Sequence, residues 1–573
     1  MKSFSQLKKN LKNDFAALPK VKLAVLGDTA TQLLTQAIRG WGYDQGLDIE
    51  VWEADFDQIA LQINDSQSEL YAFQPEFVVL FQSSHKLLSR YNKLRPEAQS
   101  SLASNELSSI ESMTATLSEQ LHCKIIYYNY TEIDDAVFGN YALQVASSFL
   151  FQLRKLNFEL MHFATQQSNF YLCDLSTIQN QLGKTNFFPG SIYVNTEMVL
   201  SLEALPFVAL RTVSIVESLL GKFKKCVILD LDNTTWGGII GDDGIENIQI
   251  GSLGIGKAFT EFQYWIKKLK NRGIIVCVCS KNNESTAKEP FEKHPDMVLR
   301  LEDISVFVAN WENKADNIRH IQSILNIGFD SMVFLDDNPF ERNIIRENLP
   351  EVTVPELPED PADYLEYLYT LNLFETVSHS GEDAERTKMY QVEAQRVQTQ
   401  QKFTNEDDFL ASLSMVSLVE PFTPFNTPRV AQLSQRSNQF NLRTVRYTED
   451  DIKKMASSEN HVTFTFTLED KFGDNGLIGV VILQQEDNQT AFIDTWLMSC
   501  RVLKRTMENF VLNTVVAFCL DRGFMVLKGE YLPTAKNEMV AHHYPNLGFT
   551  QDGEKWSLNT AEYTPGKTFI TKK

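Results

Sequence analysis

The sequence predicts an α/β protein of three domains with an open parallel sheet in the middle one, and three observations predict it. At 573 residues, 43% of them hydrophobic, the chain exceeds one core and divides at roughly 150–200 residues per domain. Short unbroken apolar runs at 226–229, 273–279 and 331–335 each stop abruptly at polar residues, as strands buried on both faces do. Helix-like stretches such as 258–271 separate those runs, which is the alternation that builds parallel sheets.

In chain order, residues 21–26 read as a strand running into the turn Gly27-Asp28-Thr29, and 77–81 as another, with helix-like stretches between them. Strand followed by Gly-Asp-Thr resembles the start of an SGNH-hydrolase-like domain, here over residues 1–220, in which a serine nucleophile follows Gly-Asp. Thr29 stands in the serine's place, and none of the nine histidines has an Asp three positions before it. The expectation is an α/β domain with a scaffold or recognition role and no hydrolysis.

The middle region carries the chemistry. Asp230 and Asp232 follow the run 226–229 and lead into Asn233-Thr234-Thr235-Trp236-Gly237-Gly238. Both carboxylates therefore emerge at the C-terminal edge of a buried strand, where open α/β sheets bind ligands. One aspartate can attack phosphorus while its neighbour protonates the leaving group and then activates water. Two anions facing a phosphate need a hard cation, which points to Mg²⁺. The run 273–279 ends in Ser280-Lys281-Asn282-Asn283, which offers a hydroxyl and amides to phosphate oxygens, and Lys314 supplies an ammonium within Asn310-Trp311-Glu312-Asn313-Lys314. The third run ends in Asp336-Asp337-Asn338-Pro339.

Asp230-x-Asp232-x-Thr234, Ser280, Lys314 and Asp336-Asp337, in that order, resemble the four motifs of the haloacid dehalogenase (HAD) superfamily. The wider contexts LDLDNTTWGG, CSKNN, HPDMVLR and FLDDNP-x-ER look like its FkbH-like subfamily, associated with glyceryl transfer to acyl carrier proteins. The resemblance implies a HAD-type Rossmann-like core over 221–375. Asp230 would be nucleophile and metal ligand, and Asp232 general acid/base with its backbone carbonyl on the metal. Thr234, Ser280, Lys281, Asn282 and Lys314 would sit at the phosphate, and Asp336 and Asp337 would complete the Mg²⁺ site. Residues 233–279 hold a Gly-rich hairpin and one helix, and 281–313 one helix and a strand, so neither interval has room for a lid. A capless site needs something large to exclude water, such as a macromolecular substrate, and Trp236 and Trp311 are placed to line its opening. Cys279, and likewise Cys500, is a possible acyl-accepting thiol, although strand alternation points Cys279 away from the face of Ser280.

Residues 376–400, beyond Pro355, Pro358 and Pro361, read as a helical connector. From 401 to 573, strand-like segments at 461–468, 476–483 and 492–497 precede Ser499-Cys500-Arg501-Val502-Leu503-Lys504-Arg505-Thr506 and an apolar helix at 510–520. This order resembles a GNAT-type acyltransferase fold of the α+β class. Lys504 and Thr506 occupy the positions where that family has glycines that admit coenzyme A. Arg501, Lys504 and Arg505 remain candidates for a carrier or coenzyme A phosphate.

A net charge of −21 disfavours nucleic acid as a partner. No apolar run approaches the ~20 residues that span a bilayer, residues 1–10 lack a hydrophobic signal block, and the seven cysteines show no paired metal-ligand spacing. The expectation is a cytoplasmic chain with reduced thiols and no membrane insertion. Its expected partners are a phosphorylated small molecule and an acyl carrier protein or its phosphopantetheine arm. The alternative is a HAD phosphatase for a sugar or other metabolite phosphate, for example in surface-polysaccharide assembly.

Overall fold

The middle sheet is formed by four parallel strands, β6 (Cys226–Leu229), β7 (Ile275–Ser280), β8 (Val306–Ala309) and β9 (Met332–Leu335), in the order β8-β7-β6-β9. Every residue of β6 and β9 is buried, and each fully buried Val, Ile or Leu contributes about 1.5–3 kcal/mol. Register decides the site: Leu229 lies opposite Val278 on one side and Leu335 on the other. The strands therefore end level, which brings Asp230, Ser280 and Asp336 to one rim. Helix Gly256–Asn271 joins β6 to β7, helix Glu284–Lys293 joins β7 to β8, and helix Lys314–Leu325 joins β8 to β9.

This computed structural model describes residues 1–379, 386–400, 402–534 and 536–573, with the side chains of 394, 397, 398 and 500 outside the described set. The chain divides into two compact units. The first comprises Met1–Leu219 with Thr370–Val377, the second Leu220–Tyr369 with Ser378–Lys573.

The first unit holds a parallel sheet of β1 (Lys20–Gly27), β2 (Asp48–Glu53), β3 (Phe77–Phe81), β4 (Lys124–Tyr128) and β5 (Phe170–Cys173) in the order β2-β1-β3-β4-β5. This is a common doubly wound order, shared by folds of many functions. Thr29 is buried, and its hydroxyl makes no hydrogen bond among the described residues. Asp28 is also buried and accepts the Ser83 N–H at 2.8 and 3.0 Å. Burial pushes its carboxyl up to about 7, against the Ser83 N–H and the Arg90 guanidinium. Between the unfolded carboxylate value and about 7 the folded state binds the extra proton, so this group's contribution to stability falls as pH rises through that window. We expect Asp28→Asn to remove that slope. Relative to wild type, its melting temperature should gain steadily from pH 5 to pH 8, and a difference that does not vary with pH would refute the assignment.

In the second unit the C-terminal part forms a nine-stranded mixed sheet. Its strands are β10 (Met415–Ser417), β11 (Val419–Glu420), β12 (His461–Asp470), β13 (Gly473–Gln485), β14 (Thr490–Met498), β15 (Val526–Gly529), β16 (Thr550–Asp552), β17 (Lys555–Asn559) and β18 (Ile570–Lys572). β12, β13 and β14 are antiparallel neighbours, and helix Met507–Arg522 crosses from β14 to a parallel β15. That strand-and-crossover order is the one the acyltransferase resemblance implied.

Helix Arg386–Gln400 does more than connect. It lies against β7, β8 and β13, and its Arg396 and Glu393 join Asp470 of β12 and Arg505 in an almost fully buried ion-pair network. Arg396 lies 2.8 Å and Arg505 3.2 Å from Asp470, Arg505 lies 2.5 Å from Glu393, and Arg396 also pairs with Glu393. Among the described residues no helix is long and apolar enough to cross a membrane. The described free cysteines, Cys123, Cys173, Cys226, Cys277, Cys279 and Cys519, are all buried.

Candidate active site

Just past β6 the chain turns back sharply. The Asp230 N–H extends the ladder to the Leu335 carbonyl at 3.0 Å, and the Leu231 carbonyl then accepts the N–H groups of Thr234, Thr235 and Trp236. Asn233 takes the left-handed conformation this turn needs (φ 56°), and its side chain accepts the Gly238 N–H at 2.9 Å. The Asp232 carboxylate is held from three sides, by the Trp236 indole, the Ile240 N–H and the Asn282 amide, each at 3.0 Å. Burial raises its pKa above the ordinary carboxylate value, opposed by the Ile240 and Trp236 donors. A fixed carboxyl with a raised pKa is suited to donating and retrieving a proton.

Next to it, the buried Lys314 ammonium lies 2.9 Å from Asp230 and 2.7 Å from Asp336. Burial works against that charge, but the two carboxylates prevail and hold the ammonium above the usual lysine range. Asp336 is pushed up to about 7 by burial and then by Asp230, against the pull of Lys314. Burial, then Asp230, likewise raises Asp337. One carboxylate oxygen from each of Asp230, Asp336 and Asp337 lies within 4.8 Å of the others. Three hard oxygen donors crowded this closely, two of them with raised pKa values, fit a hard divalent ion such as Mg²⁺.

The structure thus gathers Asp230, Asp232, Lys314, Asp336 and Asp337, with Ser280 buried at the end of β7. Other expected residues turn elsewhere. The Thr234 hydroxyl donates to Asp337 at 3.1 Å and accepts the Asp337 N–H at 3.0 Å, so it orients that carboxylate. Asn282 is engaged with Asp232, and Lys281 pairs with Glu341 at 2.6 Å. Trp236 is fully buried, packed edge-on against Phe291, because its indole must reach Asp232; it does not line the opening. Trp311, after β8, does stand at the rim, 70% exposed, and so does Phe340, after β9, at 67%. The segment 233–255 is a small flap, bridged between Gly237 and Gln249, with no lid domain.

Cys279 is fully buried with its Sγ 3.8 Å from the Lys314 carbonyl, and burial pushes its thiol far up, so no thiolate is presented there. The side chain of Cys500 lies outside the described residues. Arg505 is locked into the buried network with Glu393 and Asp470 and is not open to a phosphate. Arg501 donates to Ser499 at 3.2 Å. Lys504 is exposed.

Further residues support these groups. Arg342 donates to the carbonyls of Asp336 and Asp337 at 2.8 and 2.6 Å and pairs with Glu356 at 2.5 Å, which fixes the turn that carries both carboxylates. Asn310 and Asn317 bond reciprocally at 3.1 and 2.8 Å across the loop before Lys314. The signal in sequence is that Arg342 closes the FLDDNP-x-ER context and Asn310 opens the stretch leading to Lys314, although neither was expected at the site; Asn317 has none.

The FkbH N-terminal domain family matches residues 22–217. A crystal structure of the N-terminal part of a Bacteroides fragilis protein, described as containing a phosphatase domain and complexed with Mg, is 59% identical, with a TM-score of 0.64 over 66% of this chain and 100% of that one. The C-terminal region aligns with the spermidine N-acetyltransferase of Vibrio cholerae in complex with CoA and spermine at 12% identity, over 26% of this chain and 97% of that one, with a TM-score of 0.21. It also aligns with the ribosomal-protein-S18-alanine N-acetyltransferase of Escherichia coli at 16% identity, over 26% and 97%, with a TM-score of 0.20. No curated protein matches.

Proposed function

The chain belongs to the FkbH family of phosphatase-domain proteins, and from that premise we propose that it is a Mg²⁺-dependent HAD-type enzyme that loads a glycerate-derived acyl group from 1,3-bisphosphoglycerate onto an acyl carrier protein and removes the remaining phosphate. The observation that carries this reading is the single rim on which Lys314 bridges Asp230 and Asp336 while Asp232 is held by three donors.

Asp230, Asp336 and Asp337 would hold Mg²⁺, which supplies the positive charge that lets a phosphate approach three carboxylates. An Asp230 oxygen attacks phosphorus, the bond from phosphorus to the substrate oxygen breaks, and Asp232 delivers its proton to that oxygen. Asp232, now ionised, takes a proton from water. The water oxygen attacks phosphorus and breaks its bond to Asp230, which frees inorganic phosphate and restores both side chains. Lys314 balances charge on the phosphoryl oxygens throughout. The thioester forms when the carrier's pantetheine sulfur bonds to the acyl carbon, the bond from that carbon to the phosphate oxygen breaks, and phosphate leaves carrying the thiol's proton. Burial of Cys279 favours the pantetheine thiol over a protein thiol as acceptor. The open rim with Trp311 and Phe340 exposed suits a substrate delivered on a macromolecule.

Intact-protein mass spectrometry of holo-carrier proteins incubated with the enzyme, Mg²⁺ and 1,3-bisphosphoglycerate tests the proposal. The expected result is a carrier mass increased by one glyceryl group only when enzyme is present. Phosphate release with unmodified carriers would instead establish a phosphatase for a sugar or other metabolite phosphate.

A further inference from the structure

The phosphatase chemistry makes no use of a cavity of about 160 Å³ in the first unit. It lies at the C-terminal ends of β3, β4 and β5, bounded by Ser83 and His85 after β3, Thr131 after β4 and Leu175 after β5. Carboxyl ends of parallel strands are where such sheets bind ligands. Thr29 does not line it.

The walls are mostly apolar, formed by Leu175, Phe187, Val199 and Leu200. Most polar groups around them are already engaged. The Ser84 hydroxyl donates to the Thr131 carbonyl at 2.7 Å, Asn129 bonds Asp174 and the Leu175 N–H, and Gln179 bonds both backbone groups of Glu132. His85 is the exception. Its ring stacks on Phe188 with centroids 3.9 Å apart and packs against Tyr193 at 5.0 Å, while its Nδ1 is buried and makes no hydrogen bond among the described residues. A buried ring nitrogen without a partner costs free energy unless something bonds it. Burial, then the charge of Lys184, pushes the imidazole down to about 4, so at neutral pH it is uncharged and offers one donor and one acceptor. Lys184 is exposed at the edge of the cavity.

We propose that this cavity binds a short aliphatic acyl group of about four to six carbons, its chain against Leu175, Phe187 and Leu200 and its carbonyl or carboxylate oxygen bonded to the imidazole of His85. The volume sets the size, since a cavity of about 150 Å³ accommodates a benzene-sized molecule. The His85 imidazole in the wall sets the polarity, and Lys184 at the edge would favour an anionic head group.

Isothermal titration of the full chain with butanoate, hexanoate and decanoate, and with the N-acetylcysteamine thioester of butanoate, tests this. Affinity should peak at butanoate or hexanoate and fall at least tenfold for decanoate. The arm that binds more tightly identifies the source as free acid or thioester. His85→Phe, which keeps the stacked ring and deletes its nitrogens, should weaken binding at least tenfold, and Leu200→Trp, which fills the space, should abolish it. Near-UV circular dichroism checks both variants for folding; if the tryptophan variant fails it, the phenylalanine variant decides. No saturable binding, no dependence on chain length, or undiminished affinity in His85→Phe would overturn the proposal.

Discussion

Asp230→Asn is expected to lower phosphate release by on the order of 10⁴-fold, about 5–6 kcal/mol of barrier, while the protein stays folded. The change is isosteric, yet an amide oxygen is a poor nucleophile toward phosphorus, and the substitution also takes one carboxylate from the trio shared with Asp336 and Asp337. Stability should hold, because the lost Lys314–Asp230 contact is offset by relief of the repulsion that Asp230 exerts on Asp336 and Asp337. Phosphate release from an acyl phosphate and from an aryl phosphate, read beside a thermal melt, checks both halves. Activity within tenfold of wild type would place the nucleophile elsewhere.

Lys314→Met is expected to strike stability as well as rate. Methionine fills similar volume but leaves Asp230 and Asp336 facing each other in a buried site with no cation between them. Removing one partner of a buried charge cluster costs about 3–5 kcal/mol, and loss of a charge aimed at the phosphoryl oxygens costs a further 10²–10³-fold in rate. The sign with pH follows from Asp336. Its carboxyl, already up to about 7, binds its proton more tightly in the folded state than in the unfolded one, so stability declines as pH rises toward and past 7. Without Lys314 that window extends higher. In EDTA the variant's melting temperature should therefore fall more steeply than wild type between pH 5 and pH 8, and added Mg²⁺ should recover part of the loss. Equal melting temperatures at pH 8 in EDTA would contradict the bridging role.

The rim was legible in the sequence because strands buried on both faces show no alternation, so their ends stand out where Leu229, Cys279 and Leu335 give way to polar residues. The strand Val306–Ala309 was foreseen only as something the interval 281–313 had room for. What the sequence did not reveal is which polar neighbour each side chain would choose. Thr234 was expected at the phosphate, but the turn at Asn233 brings it to Asp337. Trp236 was expected at the opening, but its indole reaches inward to Asp232. The helix Arg386–Gln400 looks like solvated linker because it is rich in polar residues. Its burial depends on Asp470 and Arg505, contributed by distant parts of the chain, and no local pattern encodes such a pairing.

The stretch between β14 and the crossover helix Met507–Arg522 keeps two residues, Lys504 and Thr506, in the left-handed region at φ 62° and 58°. Only glycine takes that shape freely, and other residues accept about 1 kcal/mol of strain apiece. Arg505, between the two strained positions, faces the interior and clasps Glu393. The bend acts as a rivet, fastening the stretch after β14 to the helix Arg386–Gln400.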